Sequence, residues 1–341
     1  MSSEEETRKT ALHEWHRRQG ANMATFGGYE MPLWYPSGAR KEHLAVIQAA
    51  GIFDTSHMSV VMVNGGGALA LLQKCFSKNL EACIGSASKP LSNGRSVYGV
   101  FLNPEGEVID DAIVFQLETE NYMVVVNAGM GAAIAGHLRS HAQGDAVAVT
   151  DLSDRVGKLD VQGPEAARIL REAIRDADSV FDALPYFSFK GHFDPASPVP
   201  GRVQMRDGTP ILLSRTGYTG EFGFEIFTPP QQFTTVWRAL LAAGENRGLI
   251  PCGLAARDSL RAGAVLPLSH QDIGPWPFAN NPWLFALPYD ASGDRFTKDF
   301  IGADALQQVD NVPHTLPFAG FDLRKVAVEE IGRASCRERV C

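Results

Sequence analysis

The chain has 341 residues, 45% of them hydrophobic, with 33 glycines and a formal net charge of −8. That length allows one large domain or two to three ordinary ones, and the apolar share suits a globular enzyme with a packed core. The negative balance, with no long basic run, excludes nucleic acid as the main partner, and no run approaches the roughly 20 apolar residues that span a bilayer.

The start, Met1-Ser-Ser-Glu-Glu-Glu-Thr-Arg-Lys-Thr10, is polar and acid-rich. It has neither the apolar stretch of a signal peptide nor the Arg-rich, acid-poor character of a transit peptide, so a cytoplasmic protein is expected. Residues 61–72 read as a strand, a glycine turn and an apolar-periodic helix, and residues 159–170 repeat the plan, with Pro164 suited to a first helical turn. A β-meander is predicted over Ser96–Leu102, Glu107–Phe115 and Tyr122–Asn127, followed by a helix from about 132 to 141. After the second unit, strands Ile211–Arg215 and Phe222–Phe227 flank Gly217-Tyr-Thr-Gly220, and a helix is expected from about 231 to 243. Two similar halves, 1–150 and 151–315, predict an α+β protein with a pseudo-duplicated core. Residues 266–288, with five prolines, read as a long ordered loop.

Phe318–Val328 is strand-like, and residues 330–341 read as the translation of a sequencing-adapter oligonucleotide. Of five cysteines, Cys336 and Cys341 fall in that tail. Cys75, Cys83 and Cys252 lie far apart without a CxxC pair and are expected to be reduced.

Most catalytic signatures are absent: there is no GxxxxGKS/T, no GxSxG and no HExxH. Asn64-Gly-Gly-Gly67 lacks the Lys-Ser/Thr of a phosphate loop, so a tight turn is favoured over an anion cradle. His137 and His141 stand one helical turn apart, but no third ligand lies near them in sequence, so a solvated face is preferred and no metal is expected.

Strand 107–115 is more informative. Val108, Asp110, Ala112 and Val114 share one face; Ile109, Asp111, Ile113 and Phe115 share the other, taken as the core side for its bulk. Asp111 is then either a carboxylate set in an apolar wall to meet a ligand, or a strand-end residue that caps a turn. Glu225 stands likewise in an aromatic-flanked strand, and Arg257 just inside a helix start; a structural Arg–carboxylate pair and a binding site both account for them.

Taken in order, Phe53-Asp-Thr-Ser-His-Met58, Gly106-Glu-Val-Ile-Asp-Asp111, Tyr218-Thr-Gly-Glu221 and Gly253-Leu-Ala-Ala-Arg-Asp-Ser-Leu260 resemble the T-protein of the glycine cleavage system. Phe26-Gly-Gly-Tyr-Glu-Met-Pro-Leu33 and Asp299-Phe-Ile-Gly302 agree, and the resemblance covers about residues 8 to 329. It implies an aminomethyltransferase built as a cloverleaf of three domains around a channel for tetrahydrofolate. The donor would be aminomethyl-lipoate on the carrier H-protein, with ammonia released. By motif, Asp111 would be the catalytic carboxylate, Glu225 would accept from the pterin's donors, and Arg257 would be a further folate contact. Met58, Tyr98, Asn127 and Asp110 would line the same site. The two halves would be the folate-binding domains, and 316–329 the start of a C-terminal β-barrel cut short.

Gly263, Ser269-His-Gln271 and the run Pro275–Trp283 depart from the family's pattern, and this loop would bear on the donor. Another folate-dependent demethylase of the superfamily, or a non-catalytic folate-binding protein, are the alternatives.

Overall fold

A computed structural model describes residues 7–142, 144–194, 202–309 and 314–316. The strand expected at Phe318–Val328, the barrel start and the segment 330–341 lie outside them.

Period-two patterning builds two large sheets. The meander forms as expected from Arg95–Leu102, Val108–Glu118 and Asn121–Val126. Ser59–Asn64 and then Ala148–Asp151 extend it to a five-stranded antiparallel sheet. Helices Ala68–Cys75 and Gly131–His141 cover one face, where Leu71, Leu72, Ile134 and Leu138 pack on Val61, Phe101, Val114 and Val124. The glycine turn ahead of the first helix is required by a close approach: Gly65 has φ +114°, and a Cβ there would lie 2.2 Å from the Ala146 carbonyl oxygen.

The second sheet has seven strands. Its path runs Phe189–Gly191, Pro210–Ser214, Gly223–Thr228, Gly157–Gln162, Ala50–Asp54 and Leu249–Pro251, with Val203–Gln204 beside Pro210–Ser214. Helices Ala166–Ala173 and Phe233–Gly244 cover its outer face over Leu159, Val161, Phe224 and Ile226. Pro164 lies in the turn just ahead of the first of these helices rather than inside it. Ala50–Asp54 pairs antiparallel with Gly157–Gln162 and parallel with Leu249–Pro251, so the two halves interleave across residue 150. A small sheet of Arg8–Lys9, Tyr29–Trp34 and Asn22–Phe26 completes the α+β architecture. Among the described residues, no helix is long and apolar enough to cross a membrane.

The inner faces of the two large sheets meet: Val60, Phe115, Met123 and Val125 pack against Phe189, Leu212 and Phe227. This corrects the assignment of a single core side to strand 107–115. Ala112 and Val114 face the helices while Ile113 and Phe115 face the other sheet, so both faces are core. A register shift opposite Phe101 and Leu102 skips Ile109, so that Val108 packs with Val100 and Leu102 while Ile109 packs on the helix side, the reverse of the faces expected for these two.

Residues 266–288 form a loop with one 3₁₀ turn, Leu284–Ala286. Ile273, Phe278, Trp283 and Leu287 bury against Val100, Leu102 and Val108, and Leu306, on helix Ala303–Gln308, closes the cluster. Lys298 ties this region to helix Ala68–Cys75: its Nζ donates to the Gln73 and Phe76 carbonyls at 2.6 and 2.5 Å, satisfying oxygens that a helix end leaves without intrahelical donors.

Helix Leu254–Gly263 docks through a glycine. The Gly253 N–H donates to Glu42 Oε2 at 2.9 Å, and a Cβ at Gly253 would lie 2.3 Å from the Leu33 carbonyl oxygen. Gly253→Ala is expected to destabilise the protein by about 1–3 kcal/mol through overpacking against backbone. An unchanged urea midpoint would show that the helix docks with room to spare.

Candidate functional site

Alternation along Gly157–Gln162 sends Leu159 and Val161 to the helix side and leaves Lys158 and Asp160 on the inner face. Register then sets Asp160 opposite Glu225 on the neighbouring strand. Lys158 Nζ donates to Asp160 Oδ1 at 3.0 Å and to Glu225 Oε1 at 2.5 Å. Thr55 donates to Asp160 Oδ1 at 3.0 Å, Thr216 donates to Glu225 Oε2, and the Arg257 guanidinium donates to Asp160 Oδ2. All four charged groups are buried. Burial acts to raise the Asp160 carboxyl, but the Lys158 and Arg257 charges outweigh it and hold it at about 2. At Glu225 burial dominates, and its carboxyl is pushed up despite Lys158.

The first sheet contributes a second polar cluster. Asp110 is fully buried and accepts from the Asn127 backbone N–H at 2.9 Å, Asn127 Nδ2 at 2.7 Å and Ser269 Oγ at 2.8 Å. Asp111, half-buried on the inner face, accepts from Asn127 Nδ2 at 2.6 Å and from Tyr98 Oη at 2.9 Å. One amide therefore bridges two adjacent carboxylates. Burial pushes both up, Asp110 to about 7, where the Asp111 charge adds to the effect. Asp110 is an anchor filled by three protein donors, whereas each Asp111 oxygen holds one donor and keeps lone-pair capacity.

Tyr218 stands between the clusters. Its ring lies 5.0 Å from the Arg257 guanidinium, its hydroxyl donates to the Pro267 carbonyl, and burial together with the Asp111 charge pushes its phenol up. Met58 packs in the apolar seam between the sheets. The structure thus joins Asp110, Asp111, Asn127 and Tyr98 in one cluster, and Glu225 and Arg257 in the other. The sequence reading missed Lys158, Asp160, Thr55 and Thr216, and it singled out Ser269 only as part of the loop bearing on the donor, not as a partner of Asp110. The alternation of Lys158, Asp160 and Gln162 with Leu159 and Val161 was the available signal for Lys158 and Asp160. Ser269 belongs to the 266–288 loop, which therefore reaches the carboxylate pair.

Beside this site, a cavity of about 340 Å³ is lined mainly by Val108, Ile273, Trp276, Pro277 and Phe278. Its one carboxylate, Asp272, is already taken by Arg261 and the Leu268 N–H. The expectation that His137 and His141 lack a third ligand is corrected: the fold sets Cys75, from the other covering helix, beside them.

The GCVT N-terminal domain family matches residues 12–276. An aminomethyltransferase of Streptomyces coelicolor is 40% identical over 311 residues, covering 90% of this chain and 75% of that protein. One of Bacillus subtilis is 37% identical over 266 residues, covering 78% and 67%. Among solved structures, glycine cleavage system aminomethyltransferase T from Bartonella henselae matches with a TM-score of 0.71 at 32% identity, covering 88% of this chain and 74% of that one.

The carboxylate pair generates a pH-dependent prediction. Between its ordinary value of 3.8 and about 7, folded Asp110 holds a proton that the unfolded chain has released, so this group's contribution to stability falls as pH rises through that window. Asp110→Asn turns an amide N–H toward donors and is expected to cost about 1–3 kcal/mol near pH 5. Because the variant cannot titrate there, the gap should narrow toward about pH 8. Urea midpoints of both proteins across this range decide the point; a gap that stays constant or widens contradicts it.

Proposed function

This chain belongs to the glycine-cleavage T-protein family of aminomethyltransferases, and we propose that its tetrahydrofolate acceptor binds between the inner sheet faces, with Asp111 as the catalytic carboxylate. The family reaction moves the methylene of aminomethyl-dihydrolipoyl H-protein to tetrahydrofolate and releases ammonia. The observation that carries the site assignment is the pair of buried carboxylate clusters, one on each sheet, with Tyr218 between them.

The reaction needs no protein nucleophile, because a folate nitrogen attacks the donor carbon. What remains for the protein is to orient two substrates, exclude water and oppose the positive charge that develops as the amine departs. Asp111 is suited to oppose that charge, because Tyr98 and Asn127 hold its two oxygens in place and it is partly exposed where Asp110 is not. Glu225 suits the pterin's amino and ring N–H donors, since each oxygen is oriented by one protein donor and retains a lone pair. Arg257 and the Tyr218 ring would form the adjoining wall. Ser269, through Asp110, makes the loop after residue 265 the segment that bears on donor choice. A lipoyl-carrying H-protein is the partner this reading requires.

Asp111→Asn is expected to lower kcat by about 10²-fold or more, as for loss of one electrostatic stabiliser, while tetrahydrofolate affinity changes little. The assay is methylene-tetrahydrofolate and ammonia formation from aminomethylated H-protein, and a variant with near-parental kcat would remove Asp111 from the chemistry. Glu225→Gln should weaken tetrahydrofolate binding by about 1–3 kcal/mol, because it turns a donor toward donors. Calorimetric titration with unchanged affinity in both Glu225→Gln and Arg257→Ala would place the pterin elsewhere.

A further inference from the structure

Helices Ala68–Cys75 and Gly131–His141 pack on the outer face of the five-stranded sheet, the face opposite Asp111. Cys75 ends the first helix, with only 1% exposure. His137 and His141 sit one turn apart on the second, their ring centroids 4.8 Å apart. The ligand atoms of all three residues lie within 4.8 Å of one another.

Two hydrogen-bonding facts distinguish this cluster from an ordinary core contact. His137 Nε2 is buried with no hydrogen-bond partner, a cost that native interiors rarely leave standing. His141 Nδ1 bonds the His137 carbonyl at 2.9 Å, the kind of backbone contact that orients a metal-bound imidazole and leaves Nε2 as the ligand atom. A buried Cys by itself is a small hydrophobe. Beside an unpartnered imidazole nitrogen and an oriented second imidazole, its sulfur completes a donor set.

We propose that Cys75, His137 and His141 form a site for a borderline divalent transition cation of the zinc type, with one position left to water. Thiolate and imidazole together suit zinc, cobalt or copper rather than magnesium or calcium. Bond lengths of about 2.0–2.3 Å put tetrahedral ligand atoms roughly 3.3–3.6 Å apart, so side-chain adjustment of about an ångström closes the site. On binding, the Cys75 S–H bond breaks, the sulfur keeps the electron pair for the metal, and the proton goes to solvent. The cation would staple the two covering helices, beside the Lys298 contact that already ties the end of the first, and would take no part in the transfer at Asp111.

The test uses the full chain carrying Cys336→Ser and Cys341→Ser, so that thiols of the C-terminal segment do not contribute. Chelator-treated protein is titrated with Co²⁺. One equivalent should bind, with a thiolate-to-cobalt charge-transfer band and the intense d–d bands of tetrahedral cobalt. Cys75→Ser should abolish the charge-transfer band, and His141→Gln, at a half-buried position, should raise Kd at least tenfold. Zn²⁺ should raise the Tm of the parent and leave that of His141→Gln unchanged. No charge-transfer band at saturating Co²⁺, or a band that survives Cys75→Ser, overturns the proposal. Should Cys75→Ser fail to fold, an unaltered cobalt affinity in His141→Gln overturns it equally.

Discussion

Four charges enclosed between two sheets constrain most of this structure. Removing an ion from water costs several kcal/mol even after relaxation, and the cost is recovered only where partners and hydrogen bonds are in place. Lys158 lies between Asp160 and Glu225, Arg257 closes on Asp160, and Thr55 and Thr216 fill remaining positions. These groups come from two strands, one helix and two connecting segments. Each element must therefore hold its register and docking angle, or a buried charge loses its partner. Apolar burial supplies the driving force but is not directional. The ion network supplies direction.

The same economy separates the roles of two adjacent aspartates. Strand alternation turns Asp110 toward the helices and Asp111 toward the opposite sheet, yet Asn127, just past the end of the next strand, reaches both. Two carboxylates sharing one amide in a poorly solvated site resist ionising together, so their environments push them apart in function. Asp110, filled by three donors, fixes the strand, Asn127 and the 266–288 loop to one another. Asp111, held by a phenol and an amide, keeps capacity for a positively charged or N–H group. The loop takes part because it is packed as core: its aromatic and aliphatic side chains replace a helix over the end of the meander.

Much of this was legible in the chain itself. Period-two and helical patterning located the meander, both strand–turn–helix units and the helices to within a few residues, because backbone geometry imposes those periods locally. The order of six short motifs pointed to the T-protein family, and Asp111, Glu225 and Arg257 stood out as charges in apolar surroundings. Alternation, however, reports shared faces only where the pleat is regular, which fails at Val108 and Ile109, and it never reports what covers a face. It assigned one core side to strand 107–115 where two coverings, helices and a second sheet, make both faces core. It also gave no warning that Ala50–Asp54 would pair across the two halves.

Contacts remote in sequence could be settled only by tertiary structure. Lys158 meets Glu225 across 67 residues, Ser269 reaches Asp110 across 159, and Cys75 meets the two histidines from a separate helix. No local propensity encodes these meetings; they arise when apolar faces bury and polar groups carried with them must find partners. The sequence by itself determined the local elements, the family likeness and the residue types available for chemistry. Which of those residues neutralise one another, and which retain capacity for a ligand, was decided by the packing of one sheet on the other, because an ion's cost depends on everything that surrounds it.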